Sequence, residues 1–311
     1  MGVGPLPIYT NGGTVMRKKA AILILLTILA GIPINQMPKA KAGETITVID
    51  ITPMSSQSEL TTKKQVTDAI RKGLLNREKR IQVKMKYSVM QKFKDVNEFL
   101  AEAKQKDDKS TAKDADYLQF SIRQWHIKAS YIEGHDATVT LDIDYKNTNE
   151  EEKMLDEKVK SALLSLELEG KSEDQKVQAI HDYIINNVSY DTSLRKTSAY
   201  DALINQAAVC EGYAMAAYRM FTEAGLESRI ITGRGNGGSH AWNIVQVEGK
   251  WYNIDLTWDD PLTEDGSPIL NYDYFLKSTK DFTGHSRDAK YKTEDFLKTY
   301  PISDTSYASN R

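Results

Sequence analysis

Residues 207–260 read AAVCEGYAMAAYRMFTEAGLESRIITGRGNGGSHAWNIVQVEGKWYNIDLTWDD. The first part of this stretch predicts a helix over residues 207–224, which ends at Gly225 because glycine tolerates the backbone conformation that follows a helix. Three short apolar segments come next, and they predict strands at residues 229–232, 240–247 and 251–257. A helix followed by consecutive antiparallel strands indicates an α+β domain rather than a parallel wound sheet.

The last two predicted strands are separated by Glu248-Gly249, a dipeptide that suits a two-residue hairpin turn. When the register is continued from such a turn, His240 and Asp255 become diagonal neighbours on one face of the sheet. Diagonal pairs lie about 7–8 Å apart in the backbone, within reach of an imidazole and a carboxylate. An aspartate in that position orients a histidine ring, as the third member of a catalytic triad does. A three-residue turn would change the parity and separate the two side chains.

Cys210 is the single cysteine of the sequence and falls in the first turn of the predicted helix. Unpaired backbone N–H groups and the helix dipole favour an anion at that point, as a thiolate nucleophile requires. The small residues Gly212 and Ala214 leave room for a substrate carbonyl, so Cys210 is a candidate nucleophile. Alternatively, free cysteines are often buried and inert, and the helix position alone fits both interpretations. A histidine and an aspartate on one sheet face favour the catalytic interpretation.

The N-terminal residues predict a secretory signal peptide. A basic segment at residues 17–19 precedes the apolar residues 20–34, and the Ala-Lys-Ala sequence at 40–42 matches a small-x-small cleavage site. The sequence therefore predicts export with removal of residues 1–42, and residues 1–15 lie upstream of the expected start. The alternative is an uncleaved anchor, although the apolar segment is short for a membrane span. After cleavage we expect no stable membrane anchor and a secreted or cell-wall-associated protein.

Charge and residue counts limit the classes of partner. The whole sequence carries a formal net charge of −2, and loss of the five basic residues within 1–42 brings it to about −7. A mildly acidic surface argues against nucleic acid as a partner. The five histidines show no spacing typical of a metal site, so we expect no metal and no cofactor.

The patterns predict two domains after the signal peptide. Residues 43–150 contain strand-like and helix-like segments, and they predict a smaller mixed α/β domain without an assigned role. Within it, turn residues at 133–136 predict a hairpin that follows a strand at 117–132, and the charged residues 104–116 predict a solvated loop. Residues 151–311 are predicted to form the catalytic domain.

Four segments together resemble the bacterial transglutaminase-like superfamily. They read AYDAL at 199–203, VCEGYA at 209–214, HAWN at 240–243 and KWYNIDLTWDD at 250–260, within a resemblance that extends over about residues 170–290. The resemblance implies a papain-like fold in which the cysteine begins a helix and the other two residues lie on neighbouring strands. It also implies that Cys210, His240 and Asp255 form a catalytic triad that attacks an amide and passes through an acyl-enzyme.

The resemblance does not identify the complete oxyanion site. Animal transglutaminases use a tryptophan upstream of the cysteine, whereas this sequence has none between Trp125 and Trp242. The backbone N–H of Cys210 is one candidate donor, and the side chains of Gln206 and Tyr200 are candidates for the second. Trp242 is a further candidate for contact with substrate.

Two further features are expected near the site, and a third lies downstream of it in the sequence. Trp258 is a candidate to border the cleft, although packing at a strand end explains an aromatic residue there equally well. The glycines of residues 233–238 match a dinucleotide-binding fingerprint in spacing only, because a strand follows them instead of a helix, and we expect a flexible loop. The sequence at His285 also resembles that of secreted members of the group, and this residue has no assigned role.

The sequence thus predicts a secreted, thiol-dependent acyl-transfer enzyme that acts on a peptide or protein substrate at or outside the cell envelope. Hydrolysis is favoured over cross-linking, because no feature of the sequence indicates exclusion of water or binding of a lysine acceptor. One alternative is a catalytically silent binding module with the same fold. Another is a cell-wall peptidase of the other papain-like lineage, and Asp255 within its Trp-Tyr-Asn-Ile-Asp strand favours the transglutaminase-like family over it.

Overall fold

The computed structural model describes residues 24–27, 59–105, 107–108, 111–261 and 269–308. The chain divides into two compact units. The larger unit contains Asp108–Ser121 and the chain from Lys146 onward, and the smaller unit contains Val3–Asp107 together with Ile122–Tyr145. Apart from Ile24–Thr27, the predicted signal peptide lies outside the described residues, and its removal stays a prediction. Within the described ranges, no helix has the length and apolar character of a membrane span.

The smaller unit is built on a four-stranded antiparallel sheet with strand order β1-β3-β4-β2. Its elements are β1 (Ile24–Thr27), α1 (Lys63–Leu75), β2 (Arg80–Lys86), α2 (Tyr87–Met90), α3 (Asn97–Gln105), β3 (Ile122–Tyr131) and β4 (Asp136–Tyr145). The hairpin predicted at residues 133–136 is confirmed, and Gly134 supplies its positive φ of 79°. Along β4, side chains alternate between buried and half-buried, as expected for a sheet with one face toward a core.

The larger unit contains a second four-stranded antiparallel sheet, with order β10-β7-β8-β9, and a two-stranded parallel pair, β5-β6. Its helices are α4 (Ala115–Ser121), α5 (Asn149–Ser165), α6 (Glu173–Asn187), α7 (Ala199–Leu203), α8 (Cys210–Glu223) and α9 (Glu294–Thr299). Its strands are β5 (Ser189–Tyr190), β6 (Ala207–Ala208), β7 (Ser228–Gly235), β8 (Gly238–Val247), β9 (Lys250–Ile254) and β10 (His285–Arg287).

Helix α8 lies at the centre of the larger unit. Every residue from Gly212 to Phe221 is buried, which is typical of a helix enclosed on all sides by a core. The one charged member of this segment, Arg219, is bonded to Asp156 at 2.9 Å and to Glu223 at 2.5 Å, so its burial is compensated. The first turn of α8 is therefore held by a rigid element.

Two sequence predictions near residue 117 are wrong. Residues 117–121 are helical and belong to α4, whereas a strand was expected. The end of the expected solvated loop is also buried, since Asp114 and Asp116 are 0% and 5% exposed. Both carboxylate oxygens of Asp116 accept hydrogen bonds from the guanidinium of Arg229 at 2.7 Å, and this pairing permits the burial of a charged residue.

Candidate active site

The start of α8 positions Cys210. The helix begins at Cys210 rather than at residue 207, because Ala207–Ala208 form β6 and pair with β5. Val209 is the N-cap, and Cys210 is the first helical residue, with a half-buried side chain. Backbone N–H groups of a first turn have no partners within the helix, and with the helix dipole they favour negative charge at this point. The predicted placement of the thiol in the first turn is confirmed.

The hairpin of β8 and β9 positions the histidine and the aspartate. Its turn is the expected two-residue turn, with positive φ at Glu248 (51°) and Gly249 (74°), so the flanking residues pair as predicted. The register continues to Asn243 opposite Ile254. Asp255 follows directly after β9, and its side chain reaches the His240 imidazole, as the diagonal placement requires.

His240 and Asp255 form a short hydrogen bond. The distance from His240 Nε2 to Asp255 Oδ2 is 2.6 Å, and Asp255 is 1% exposed. The other oxygen, Oδ1, accepts the backbone N–H groups of Thr257 at 3.0 Å and Trp258 at 3.3 Å. Burial alone raises the pKa of Asp255, but hydrogen bonds with His240 and with His285, a residue described below, overcome that effect. They hold the pKa of Asp255 below its usual value. The carboxylate is therefore ionised when it accepts the imidazole N–H.

The His240 ring also contacts the thiol. Burial alone lowers the pKa of His240, but hydrogen bonds with Asp255 and Cys210 overcome that effect and raise the pKa to about 10. Because Nε2 faces Asp255, Nδ1 is the nitrogen left for Cys210. The structure thus brings Cys210, His240 and Asp255 together, with the imidazole bonded to the carboxylate and close enough to the thiol for the thiol to raise its pKa. An imidazole held between a thiol and a carboxylate can accept the thiol proton and later release it.

Aromatic rings and a glycine enclose the imidazole. Trp258 stacks on the His240 ring at 5.2 Å between centroids, and Trp242 lies at 6.0 Å. Trp242 is 2% exposed, so it packs behind the imidazole. Residues 233–238 are the end of the β7-β8 hairpin and not the expected loop, because they pair directly across a two-residue turn. A Cβ on Gly235 would lie 2.8 Å from the Trp258 ring, so this glycine permits the close approach.

The structure shows a different reason for the small residues beside Cys210. Gly212 and Ala214 are buried, and neither opens a space for substrate as the sequence suggested. A Cβ on Gly212 would lie 2.6 Å from the Ala208 Cβ and 3.0 Å from the Ser198 carbonyl oxygen. Gly212 is therefore required for close packing of α8 against neighbouring backbone.

Among the described residues, neither candidate oxyanion side chain is seen to contact Cys210. The Tyr200 hydroxyl is 3.9 Å from the sulfur of Met154. The Gln206 side chain is exposed, and its backbone has a positive φ of 52°. Their role as oxyanion donors stays a prediction. Sequence reasoning did not identify Tyr190, which lies near Cys210. Burial raises the pKa of the Tyr190 phenol, and the charge of the nearby thiol raises it further.

A second buried histidine supports the loop after β9. His181 is 0% exposed, and its ring nitrogens lie 2.9 Å from Asp182 Oδ1 and 3.2 Å from Asp259 Oδ2. Asp259 in turn bonds through its own N–H to the Asp255 carbonyl at 3.1 Å and accepts the N–H of Tyr274 at 2.8 Å. His181 therefore holds the segment that carries Asp255.

Sequence reasoning left His285 without a role, and the structure places it against Asp255. His285 Nε2 lies 2.9 Å from Asp255 Oδ2, the same oxygen that contacts His240. The potential ligand atoms of these three side chains lie within 4.8 Å of one another. The Nε2 atoms of both histidines are already at hydrogen-bonding distance from the Asp255 carboxylate. We therefore interpret the three side chains as hydrogen-bonded to one another and not as a metal site. No sequence spacing connects a residue on β10 to this hairpin.

Comparison with known proteins identifies the domain. Residues 164–256 match the transglutaminase-like superfamily. This range contains α8, β8 and β9, and with them Cys210, His240 and Asp255. The similarity is to this superfamily and applies to this part of the chain. The match, together with the order of helix and strands described above, confirms the predicted α+β, papain-like class.

Individual proteins resemble the transglutaminase-like domain over part of their length. The kyphoscoliosis peptidases of Homo sapiens and Mus musculus are each 30% identical to the chain over 130 residues, which is 35% of this chain and 20% of the relative. The chain thus spans about a fifth of the length of the curated relatives it matches. Among solved structures, a TGase has a TM-score of 0.33 and 22% identity over 44% of each chain. A proposed cysteine protease of Cytophaga hutchinsonii has a TM-score of 0.30 and 18% identity over 52% of this chain and 65% of that chain.

Proposed function

We propose that the chain is a thiol-dependent acyl-transfer enzyme in which Cys210 is the nucleophile, His240 the base and Asp255 the residue that orients the base. The observation that carries the proposal is the His240 imidazole, which lies 2.6 Å from the Asp255 carboxylate and is close enough to the thiol at the start of α8 for that thiol to raise its pKa. A structural histidine has no need of a half-exposed thiol partner, whereas covalent catalysis requires this order of groups.

The chemistry follows from this order. The Cys210 thiolate attacks a carboxamide or peptide carbonyl, a C–S bond forms, and the C–N bond breaks as His240 gives its proton to the leaving amine. In the second half of the reaction, His240 takes a proton from a water molecule, and the resulting hydroxide attacks the thioester carbonyl. The C–S bond then breaks, which releases the carboxylic acid and restores the Cys210 thiolate. An amine in place of water would instead yield a new amide, which is transamidation.

We favour hydrolysis as the net reaction. The matched curated relatives are named peptidases, although the chain spans about a fifth of their length. The substrate we propose is a peptide or protein at or outside the cell envelope, which rests on the predicted signal peptide. Cross-linking of the same substrate is the alternative outcome of the test below.

The test has two stages and uses the full chain after export. Native protein is first treated with iodoacetamide near neutral pH, and Cys210→Ser and His240→Ala variants are treated in parallel. We expect alkylation of wild-type Cys210 within minutes, slower alkylation in His240→Ala, and no alkylation in Cys210→Ser. His135→Ala is the matched control, because His135 is exposed at a hairpin turn of the smaller unit. No labelling of native wild type would favour the inert, silent module.

In the second stage, wild type and Cys210→Ser are incubated with an extract of the cell envelope, and the products are identified by mass spectrometry. Peptides that gain the mass of water and appear only with wild type support hydrolysis. Joined peptides that lose ammonia support cross-linking. Identical products from both proteins would contradict an enzymatic role.

A further inference from the structure

The carboxylate of Asp255 accepts four hydrogen bonds. Oδ1 accepts two backbone N–H groups, and Oδ2 lies 2.6 Å from His240 Nε2 and 2.9 Å from His285 Nε2. A triad requires one imidazole on its carboxylate, so the second imidazole is an addition. The side chain of His285 is 2% exposed, which rules out a chance surface contact.

His285 is fixed by contacts that leave its ring little freedom. It stacks on Phe282 at 3.9 Å and lies against Trp258 at 4.1 Å between ring centroids. Its Nδ1 lies 2.9 Å from the carbonyl oxygen of Thr283. A carbonyl oxygen only accepts, so Nδ1 carries a hydrogen, and an ionised Asp255 requires a hydrogen on Nε2 as well. Both nitrogens of His285 therefore act as donors, and the ring carries a positive charge in this arrangement.

We propose that His285 is a positioning residue of the active site: as a doubly protonated imidazole it holds the Asp255 carboxylate, offsets its negative charge, and thereby makes His240 a stronger acid. This inference rests on the proposed function. His240 must release its proton to the leaving amine, and an acid works best when its pKa is near the working pH. The second imidazole therefore assists the reaction, because it lowers the pKa of His240 toward that pH. A single unopposed carboxylate would retain that proton more strongly.

The charged and titratable groups around His285 are few among the described residues. Asp255 and His240 face it from the β8-β9 hairpin, and the Tyr274 ring lies 5.4 Å away. On its own strand, Arg287 is bonded to Asn253 Oδ1 at 2.9 Å. The His240 and His285 rings are 5.4 Å apart, so each positive charge disfavours the other. Loss of the charge at His285 must raise the pKa of His240.

The first experiment measures this effect without requiring activity. The imidazole of His240 is titrated by ¹⁵N NMR in full-length Cys210→Ala, where the absence of the thiolate lowers the His240 midpoint from its wild-type value. The same titration is made in Cys210→Ala/His285→Gln and in Cys210→Ala/His285→Phe. We expect the midpoint of His240 to rise by roughly one unit in both, the size of a nearby charge effect. His135→Gln in the same background is the control and should leave the midpoint unchanged.

An unchanged His240 midpoint in a folded His285→Gln protein would overturn the proposal. His285→Gln carries the test alone where His285→Phe fails to fold, since an amide still donates to the carboxylate. Melting curves are recorded for all variants. A role confined to packing would lower the melting temperature and leave the His240 titration where it was.

The second experiment uses proteins that retain Cys210. It measures single-turnover acylation and steady-state turnover with an activated ester. His285→Gln should lower kcat about tenfold, in the range known for outer residues that orient a reactive group, with KM little changed. His285→Phe should lower kcat further. Equal kcat in all three proteins would contradict the inference. Failure of wild type to form an acyl-enzyme would instead reject the proposed function, while the NMR titration would still report on His285.

Discussion

Gly235 packs directly against the imidazole of His240: a Cβ on this residue would lie 2.9 Å from Cδ2 of that ring. It would also lie 2.8 Å from Trp258 Cζ2, so an added methyl group has rings on two sides. Both rings belong to side chains that are held by neighbouring contacts. The glycine therefore sets how closely β7 approaches the histidine.

The first prediction concerns this contact. Gly235→Ala should displace the His240 ring and lower the rate of Cys210 acylation by about 10²-fold, the effect expected of a misplacement near 1 Å. Gly238→Ala is a matched control in the same hairpin, because its added Cβ meets no atom closer than 3.7 Å. Acylation at the wild-type rate in a folded Gly235→Ala protein would show that the ring tolerates displacement.

The second prediction concerns Asp255→Asn. Oδ1 can still accept the N–H groups of Thr257 and Trp258, so the new NH₂ group must face two imidazole nitrogens that carry hydrogens. His240 then favours the tautomer with its hydrogen on Nδ1, which cannot accept the thiol proton. Turnover should fall by about 10⁴-fold, as for the same exchange in serine-protease triads.

The melting curve of Asp255→Asn should show a smaller change, a loss of about 1–3 kcal/mol in the free energy of unfolding for the hydrogen bonds left unmade. Asp304→Asn is the control, since Asp304 is exposed. Wild-type acylation in a well-folded Asp255→Asn protein would remove Asp255 from the site.

The third prediction concerns pH. The pKa of His240 is raised to about 10 in the folded protein, from about 6.5 in an unfolded chain. A raised pKa means that the folded state binds the proton more tightly. The contribution of His240 to stability is therefore complete below about pH 6.5, and it is lost as the pH rises from 6.5 toward 10.

Histidine NMR on the wild-type protein tests this prediction directly. The ring of His240 should titrate with a midpoint near 10, and Asp255→Asn should lower that midpoint because it removes the largest favourable contact. A wild-type midpoint at or below 6.5 would show that the ring is not held between two anionic partners.

The fourth prediction concerns the buried pair of His181 and Asp259. His181→Phe leaves the Asp259 carboxylate buried without its ring partner, and this should lower the free energy of unfolding by about 3–5 kcal/mol. The double variant His181→Phe/Asp259→Asn should lose less, because no buried charge remains. Chemical denaturation of the single and double variants measures both values. A double variant no more stable than His181→Phe would contradict the charge argument.

The fifth prediction concerns maturation. Export should remove residues 1–42 and leave Gly43 at the N-terminus, because the Ala-Lys-Ala sequence at 40–42 follows a basic segment and an apolar one. N-terminal sequencing of the exported protein checks this. Detection of Met1 or Met16 at the mature terminus would contradict it.

Local rules were sufficient to predict the core of the candidate site. The Glu248-Gly249 turn determines the hairpin parity, and the parity places His240 beside Asp255. Gly225 has the positive φ of 83° expected of the residue that follows a helix, and α8 ends at Glu223. These features depend on residues close in sequence, so a single sequence reveals them.

Long-range contacts explain what could not be predicted. The start of α8 moves to Cys210 because the preceding alanines pair with β5, a parallel contact between distant residues. Burial of Asp116 depends on Arg229, far along the chain. His285 reaches Asp255 only because β10 pairs with β7, and no periodic pattern precedes a strand of three residues.

The position of β10 has a dynamic consequence. It is three residues long and forms one edge of its sheet, and short edge strands exchange their amide hydrogens through local opening at a lower free energy than central strands. The Cys210 helix and the central strand β8 lie in the interior of the unit, whereas His285 belongs to an edge strand. Local opening of β10 would separate His285 from Asp255 before the contacts of the central strand β8 are lost. Under the proposed role of His285, such opening would raise the pKa of His240, so the amide exchange of β10 and the titration of His240 should be linked.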